Sequence, residues 1–180
     1  MTFIGIDPGL SGAFAVLNGG GDLIALHDVP TLVVKRKSGK NRTMYNLGSM
    51  SSLLQDLLGD ESKVLAYLED VASSPQQGVV SAFTFGRGLG TWEGLLAGLN
   101  IPFELIRPQA WKAQAMHGMG TEKDASRVKA LRLYPKASLH RKKDHNRADA
   151  LLMAWCAWQN TPQAGRSAAR TAKKTPSGKR

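Results

Sequence analysis

Short apolar runs separated by turn residues open the chain. Thr2–Ile6 is rich in β-formers, meets Asp7, and breaks at Pro8-Gly9-Leu10-Ser11-Gly12. Ala13–Leu17 predicts a second strand, Asn18-Gly19-Gly20-Gly21-Asp22 a hairpin turn, and Leu23–Val29 a third strand, so the opening reads as an antiparallel meander. Lys35–Arg42 (KRKSGKNR) has no apolar anchor and reads as a mobile basic loop. The period then lengthens. Leu47, Met50, Leu54, Leu57 and Leu58 share a helical face that stops at Gly59. Val64–Leu68 returns to strand and ends at Glu69-Asp70. Val79–Leu99 has helical length, although Gly86, Gly88, Gly90 and Gly94 weaken it and suit close packing against another helix or DNA. Pro102–Ile106 predicts a fifth strand. Gln109–Met116, Thr121–Tyr134 and Asn146–Gln159 predict helices, and Thr161–Arg180 is poor in apolar residues. The expected organisation is an α/β domain over residues 1–160, with a mixed five-stranded sheet flanked by helices, and a disordered basic tail over 161–180.

Composition narrows the function classes. Hydrophobic content of 42% is enough to build a core, and no apolar run approaches the ~20 residues of a spanning helix. The start has no basic n-region and meets a carboxylate at Asp7, unlike a secretory signal. Cys156 is the only cysteine, which excludes an internal disulfide and a cysteine-built zinc cage; a cytoplasmic location fits. The net charge of +10 is unevenly placed. Residues 1–104 carry 7 basic and 10 acidic side chains, residues 105–147 carry 11 basic and 3 acidic, and residues 160–180 carry 6 basic and none acidic. A basic back half predicts a polyanionic partner, most simply nucleic acid.

Three acids stand out by position. Asp7 ends the first strand, Glu69 ends the fourth, and Asp149 lies in the last helix. Singly, Asp7 can be a turn initiator, Glu69 a solvated strand end and Asp149 a polar-face residue. Converging, they would repel one another unless cations occupied the site, which predicts a Mg²⁺ centre.

The segments Gly5-Ile6-Asp7-Pro8-Gly9-Leu10-Ser11-Gly12, Leu68-Glu69-Asp70-Val71 and Asp144-His145-Asn146-Arg147-Ala148-Asp149-Ala150-Leu151-Leu152 resemble the three motifs of RuvC-like Holliday junction resolvases. Arg107-Pro108-Gln109-Ala110-Trp111-Lys112, followed by Gly118, Gly120 and Lys123, is similar to the fifth-strand exit and connector of that family. The resemblance covers about residues 3–158 and implies a ribonuclease H-like fold. It further implies a homodimeric endonuclease that nicks opposed strands of a four-way DNA junction. The site would hold two Mg²⁺ ions, for which Mn²⁺ can substitute. Short length and a basic tail suggest the phage or prophage branch, and with it a bacterial host cytoplasm.

The resemblance makes Asp7, Glu69 and Asp149 ligands. The fourth ligand departs from the pattern, because Asn146 stands three residues before Asp149. His145, four residues before, shares a helical face with it and is preferred as ligand or general acid/base. Asp144, five before, is the alternative, its simpler role being to cap the helix. Gln76 and Gln77 follow Glu69 where base edges would be read. Phe83 and Phe85 are assigned to core packing on the long helix, with stacking on an unpaired base as the alternative. Lys112, Lys123, Arg127, Arg141, Lys142 and Lys143 are candidate DNA contacts, and Trp155 and Trp158 are packing residues. Three other readings compete. An actin-like or sugar-kinase ATPase shares the Gly-x-Asp-x-Gly opening but needs a second domain. A non-catalytic junction-binding accessory protein would keep the fold. A related nuclease would cut other branched DNA or RNA–DNA hybrid.

Overall fold

A computed structural model describes residues 1–37, 39–61, 63–71, 78–120, 122 and 124–162. The meander forms as β1 (Thr2–Asp7), β2 (Ala13–Leu17) and β3 (Leu23–Asp28), antiparallel throughout. Two further strands, β6 (Val64–Glu69) and β7 (Phe103–Ile106), add in parallel, giving the sheet order β3-β2-β1-β6-β7. Four helices and one long central helix complete the domain: α1 (Leu47–Leu58), α2 (Val79–Gly98), α3 (Pro108–Ala115), α4 (Ala125–Leu133) and α5 (His145–Asn160). A short 3-10 turn, Lys142–Asp144, leads into α5. The mixed five-stranded sheet matches the expectation from sequence.

Two differences matter. The segment around Lys35–Arg42 is not simply a loop: β4 (Thr31–Lys35) and β5 (Asn41–Tyr45) pair as a separate antiparallel hairpin, so only its tip is a turn. The last-but-one helix starts at Ala125, four residues later than the periodicity suggests. Residues 161 and 162 follow α5, and 163–180, most of the expected tail, lie outside the described residues.

Alternation along the strands distributes the core. On β1, Phe3 packs toward α3, α4 and α5, whereas Ile4 and Ile6 pack toward α1 and α2; on β6, Tyr67 and Leu68 divide in the same way. A period of two therefore sends Asp7 and Glu69 to the α5 face. Helix α5 is apolar almost all round, burying Leu151, Leu152, Met153 and Cys156, as befits a helix enclosed by the domain. It crosses β1 at Gly5. A methyl group on Gly5 would stand 2.1 Å from the carbonyl oxygen of Ala150 and 2.3 Å from the amide nitrogen of Ala154, so only glycine permits that approach. Trp158 belongs to this packing too, donating its indole N–H to the Gly19 carbonyl at 3.1 Å.

Candidate active site

β1 and β6 run parallel with Ile6 opposite Leu68, so the next step of the ladder brings Asp7 alongside Glu69 at their C-terminal ends. The first turn of α5 lies over those ends. Its placement is fixed from two sides. Asn146 donates its amide N–H to the carbonyl of Ser11 at 2.6 Å, and Arg147 grips Asp28 with two bonds of 2.5 and 2.8 Å. Asp7, Glu69, His145 and Asp149 consequently line one cleft of about 550 Å³, with Lys112, Tyr45, Thr84 and Phe85 on its walls.

The electrostatics of the cleft are those of acids short of counter-charge. Burial pushes Asp7 up to about 7; the Gly9 amide, 3.1 Å from its Oδ1, and Lys112 oppose this, while Glu69 and Asp149 add to it. Burial also raises Glu69 and Asp149 above the usual carboxylate range. Two partners that the sequence reading missed hold these groups. The indole of Trp111, itself fully buried, donates to Glu69 Oε1 at 3.0 Å, and Ser126 hydrogen-bonds Asp149. Only the Pro-Gln-Ala-Trp-Lys run hinted at the first; the second joins residues 23 apart and leaves no spacing signal. Lys112 sits with its ammonium 5.1 Å from the Trp111 ring centroid, and its charge counters the rise of all three acids.

Asp149 Oδ1 and His145 Nδ1 are buried and have no hydrogen-bond partner among the described residues. Orphaned acceptors beside desolvated carboxylates are a donor set suited to a hard divalent cation. The side chains do not close into a ready cage as they stand: among the described residues no group of three His, Cys, Asp or Glu is arranged to hold a metal.

His145 lies beside Asp149 and favours its charged form. Asp144 does not face the cleft. Its carboxylate accepts the Arg141 backbone N–H and Arg141 Nε, both at 2.8 Å, and it makes no side-chain cap to α5, so the expected helix-capping role is replaced by a clasp on the preceding turn. Arg127 is similarly engaged, with Asp124 and the Leu139 carbonyl. Lys143 is exposed and Lys142 lies in the 3-10 turn. Gln76, Gln77 and Lys123 lie outside the described residues. Core packing for the two phenylalanines is overturned. Phe83 is 68% exposed and Phe85 41%; α2 reaches the core further along, burying Gly88, Trp92 and Leu96 with Leu89 and Leu95 packed beside them.

Comparison with solved structures places the fold. The chain superposes on Thermus thermophilus RuvC with a TM-score of 0.54 at 18% identity, covering 96% of this chain and 97% of that one. A second structure, T. thermophilus RuvC in complex with Holliday junction substrate, gives 0.53 at 15% identity over 88% and 94%. The fold is RuvC-like. In sequence, 94 residues are 36% identical to the chloroplastic Holliday junction resolvase MOC1 of Chlamydomonas reinhardtii. That match takes in 51% of this chain and about a tenth of the relative's length. No protein-family model matches. Among the described residues no helix is long and apolar enough to cross a membrane.

Proposed function

We propose that this RuvC-like chain is a Mg²⁺-dependent, structure-selective DNA endonuclease. It would resolve four-way junctions by paired symmetric nicks, one from each protomer of a homodimer, working in the cytoplasm. The observation that carries the reading is the meeting of Asp7, Glu69 and Asp149, from three separate elements, in one cleft with too little positive charge to neutralise them. The RuvC-like fold and the local identity to a junction resolvase support the substrate class.

Asp7, Glu69 and Asp149 would hold the metal, with His145 as the fourth group, either as ligand or as general acid/base. When bound, two Mg²⁺ ions would activate a water and neutralise the charge developing on the phosphodiester, and Mn²⁺ can take their place. The chain's own contributions are positional. Trp111 fixes the Glu69 carboxylate, Ser126 fixes that of Asp149, and the Asn146–Ser11 bond keeps α5 in register with the Asp7 turn. Lys112, on the cleft wall, would supply a cation to the scissile phosphate. Phosphate contacts extend to Lys123, Lys142 and Lys143. Arg127 and Arg141, each partly engaged by an acid of the chain, contribute charge, and Gln76 and Gln77 read bases. Residues 161–180 would add salt-dependent grip to the domain of residues 1–160.

The test is incubation with a synthetic four-way junction, linear duplex and RNA–DNA hybrid, with and without Mg²⁺, beside Asp7→Asn. Paired nicks on the junction alone, lost in the variant while binding persists, are expected. Equal cutting of linear duplex overturns junction selectivity, and cutting by Asp7→Asn overturns the metal assignment.

A further inference from the structure

Among the described residues, the β4–β5 hairpin stands apart from the five-stranded sheet: its two strands pair only with each other. Every residue of β4, Thr31–Lys35, is exposed, with Val33 65% exposed, while β5 is half-buried at Arg42 and Met44 and buried only at Tyr45. Its charge is as unusual as its exposure. Lys35, Arg36, Lys37, Lys40 and Arg42 are five of the seven cations in residues 1–104, and no acid occurs between Val29 and Gln55. Among the described residues none of these five forms an ion pair. The otherwise acidic half of the molecule thus carries one cationic projection.

The root of that projection is built into the candidate active site. Tyr45, the last residue of β5, is buried, lines the cleft, and donates its hydroxyl to the carbonyl of Pro8 at 2.9 Å, immediately after Asp7. Gly88 of α2 closes beneath this bond: a methyl group there would stand 2.3 Å from the Tyr45 hydroxyl and 2.6 Å from the Pro8 oxygen. The backbone bond from Asn46 to Pro30 at 2.9 Å seals the base of the ribbon. The hairpin is consequently a short arm held against the turn that follows Asp7, with its charge at the far end.

We propose that this hairpin grips a duplex arm of the DNA substrate, laying its cationic tip on phosphates about five base pairs from the cleft. The ribbon from Tyr45 to its tip spans about 17 Å at ~3.3 Å per residue. Duplex rises ~3.4 Å per base pair, so a ribbon laid along the duplex axis reaches about five of them. A two-stranded ribbon also has the width that a major groove admits, and an isolated hairpin is marginal in water until something covers it. The proposal rests on the reading of the cleft as a site for branched DNA.

The experiment measures equilibrium binding of the full chain to a fluorescent four-way junction and to linear duplex, in EDTA, across NaCl concentrations. It compares the wild type with a quadruple variant, Lys35→Gln, Arg36→Gln, Lys37→Gln and Lys40→Gln. Loss of up to four phosphate contacts is expected to flatten the slope of log K against log[NaCl] by about 2–4. Lys63→Gln, an exposed lysine away from the cleft, should leave the slope alone. Replacing the three lysines by arginine should keep the wild-type slope. A hydroxyl-radical footprint of the wild type, which needs no variant, is expected to show protection about five base pairs from the branch. An unchanged slope in the quadruple variant, or absence of that protection, overturns the proposal. So does a shift in oligomeric state with an unchanged slope, which would assign the ribbon to a second copy of the chain. A flattened slope without preference for the junction over linear duplex supports the arm and overturns the resolvase reading instead; junction preference with an unchanged slope does the reverse.

Discussion

Two clusters of acids lie on either side of the start of α5, and they are treated in opposite ways. Asp28 and Asp144 meet Arg141 and Arg147, which hold both carboxyls below their ordinary range despite the near-complete burial of Asp144. Asp7, Glu69 and Asp149 meet a single lysine and are all raised. Asp144 and Asp149 stand five positions apart at one helix entrance. The first cluster is a clasp whose charges are balanced within the chain. The second has its balance left for something else to supply, and burial alone does not distinguish them: the arrangement of arginines does.

The most severe way to break the contrast is Asp7→Asn. Removing one carboxylate from the second cluster should lower junction cleavage about a thousandfold, corresponding to several kcal/mol of transition-state stabilisation, measured as single-turnover rate at saturating Mg²⁺. Binding in EDTA should persist.

The clusters should also titrate in opposite senses. A carboxyl raised on folding stabilises the native state while protonated; for Asp7 that contribution is complete below about pH 4 and lost as the pH rises through about 7. The metal-free protein should therefore lose up to about 4 kcal/mol between pH 4 and 8 from this group. Thermal melts should show the fall, and Mg²⁺ or Asp7→Asn should remove most of it. Asp28 and Asp144 work the other way, contributing above the ordinary carboxylate range and failing as the pH drops through their lowered values.

Smaller effects should separate the neighbours Asp144 and His145. Asp144→Ala leaves Arg141 only its longer contact with Asp28 and should cost about 2 kcal/mol of stability by chemical denaturation, with little change in the rate per folded molecule. His145→Ala should do the opposite, lowering the rate with little change in stability. The mildest test is Trp111→Phe. It removes the hydrogen bond to Glu69 and should slow cleavage about tenfold while moving the acidic limb of the pH–rate profile upward, since Glu69 would then protonate more readily.

Much of this was legible along the chain, for reasons that can be named. The meander and the parallel strands have buried faces, so their apolar alternation is written in the residues. Asp7 and Glu69 were conspicuous because each ends such a run. Asp149 stood out because an acid in an apolar helix must face something. The hairpin is harder to read because β4 is exposed throughout and β5 carries polar residues at most of its positions, and its basic tip resembles a loop. The supports of the site, Trp111 on Glu69 and Ser126 on Asp149, are contacts across the fold that no local spacing announces. The exposure of Phe83 and Phe85 was hidden for a different reason: α2 mixes apolar and glycine residues around its whole circumference, so periodicity does not say which turns reach the core.

Gly5 has a consequence for engineering. Where side chains separate a helix from a sheet, enlarging or shrinking the core moves the helix, and anything mounted on it drifts. Here the backbone of α5 at Ala150 and Ala154 rests directly on the backbone of β1. That contact acts as a mechanical stop between the strand bearing Asp7 and the helix bearing Asp149. Core substitutions elsewhere should change stability while leaving the spacing of the two carboxylates unaltered, so the hydrophobic interior is free to be redesigned independently of the site it supports.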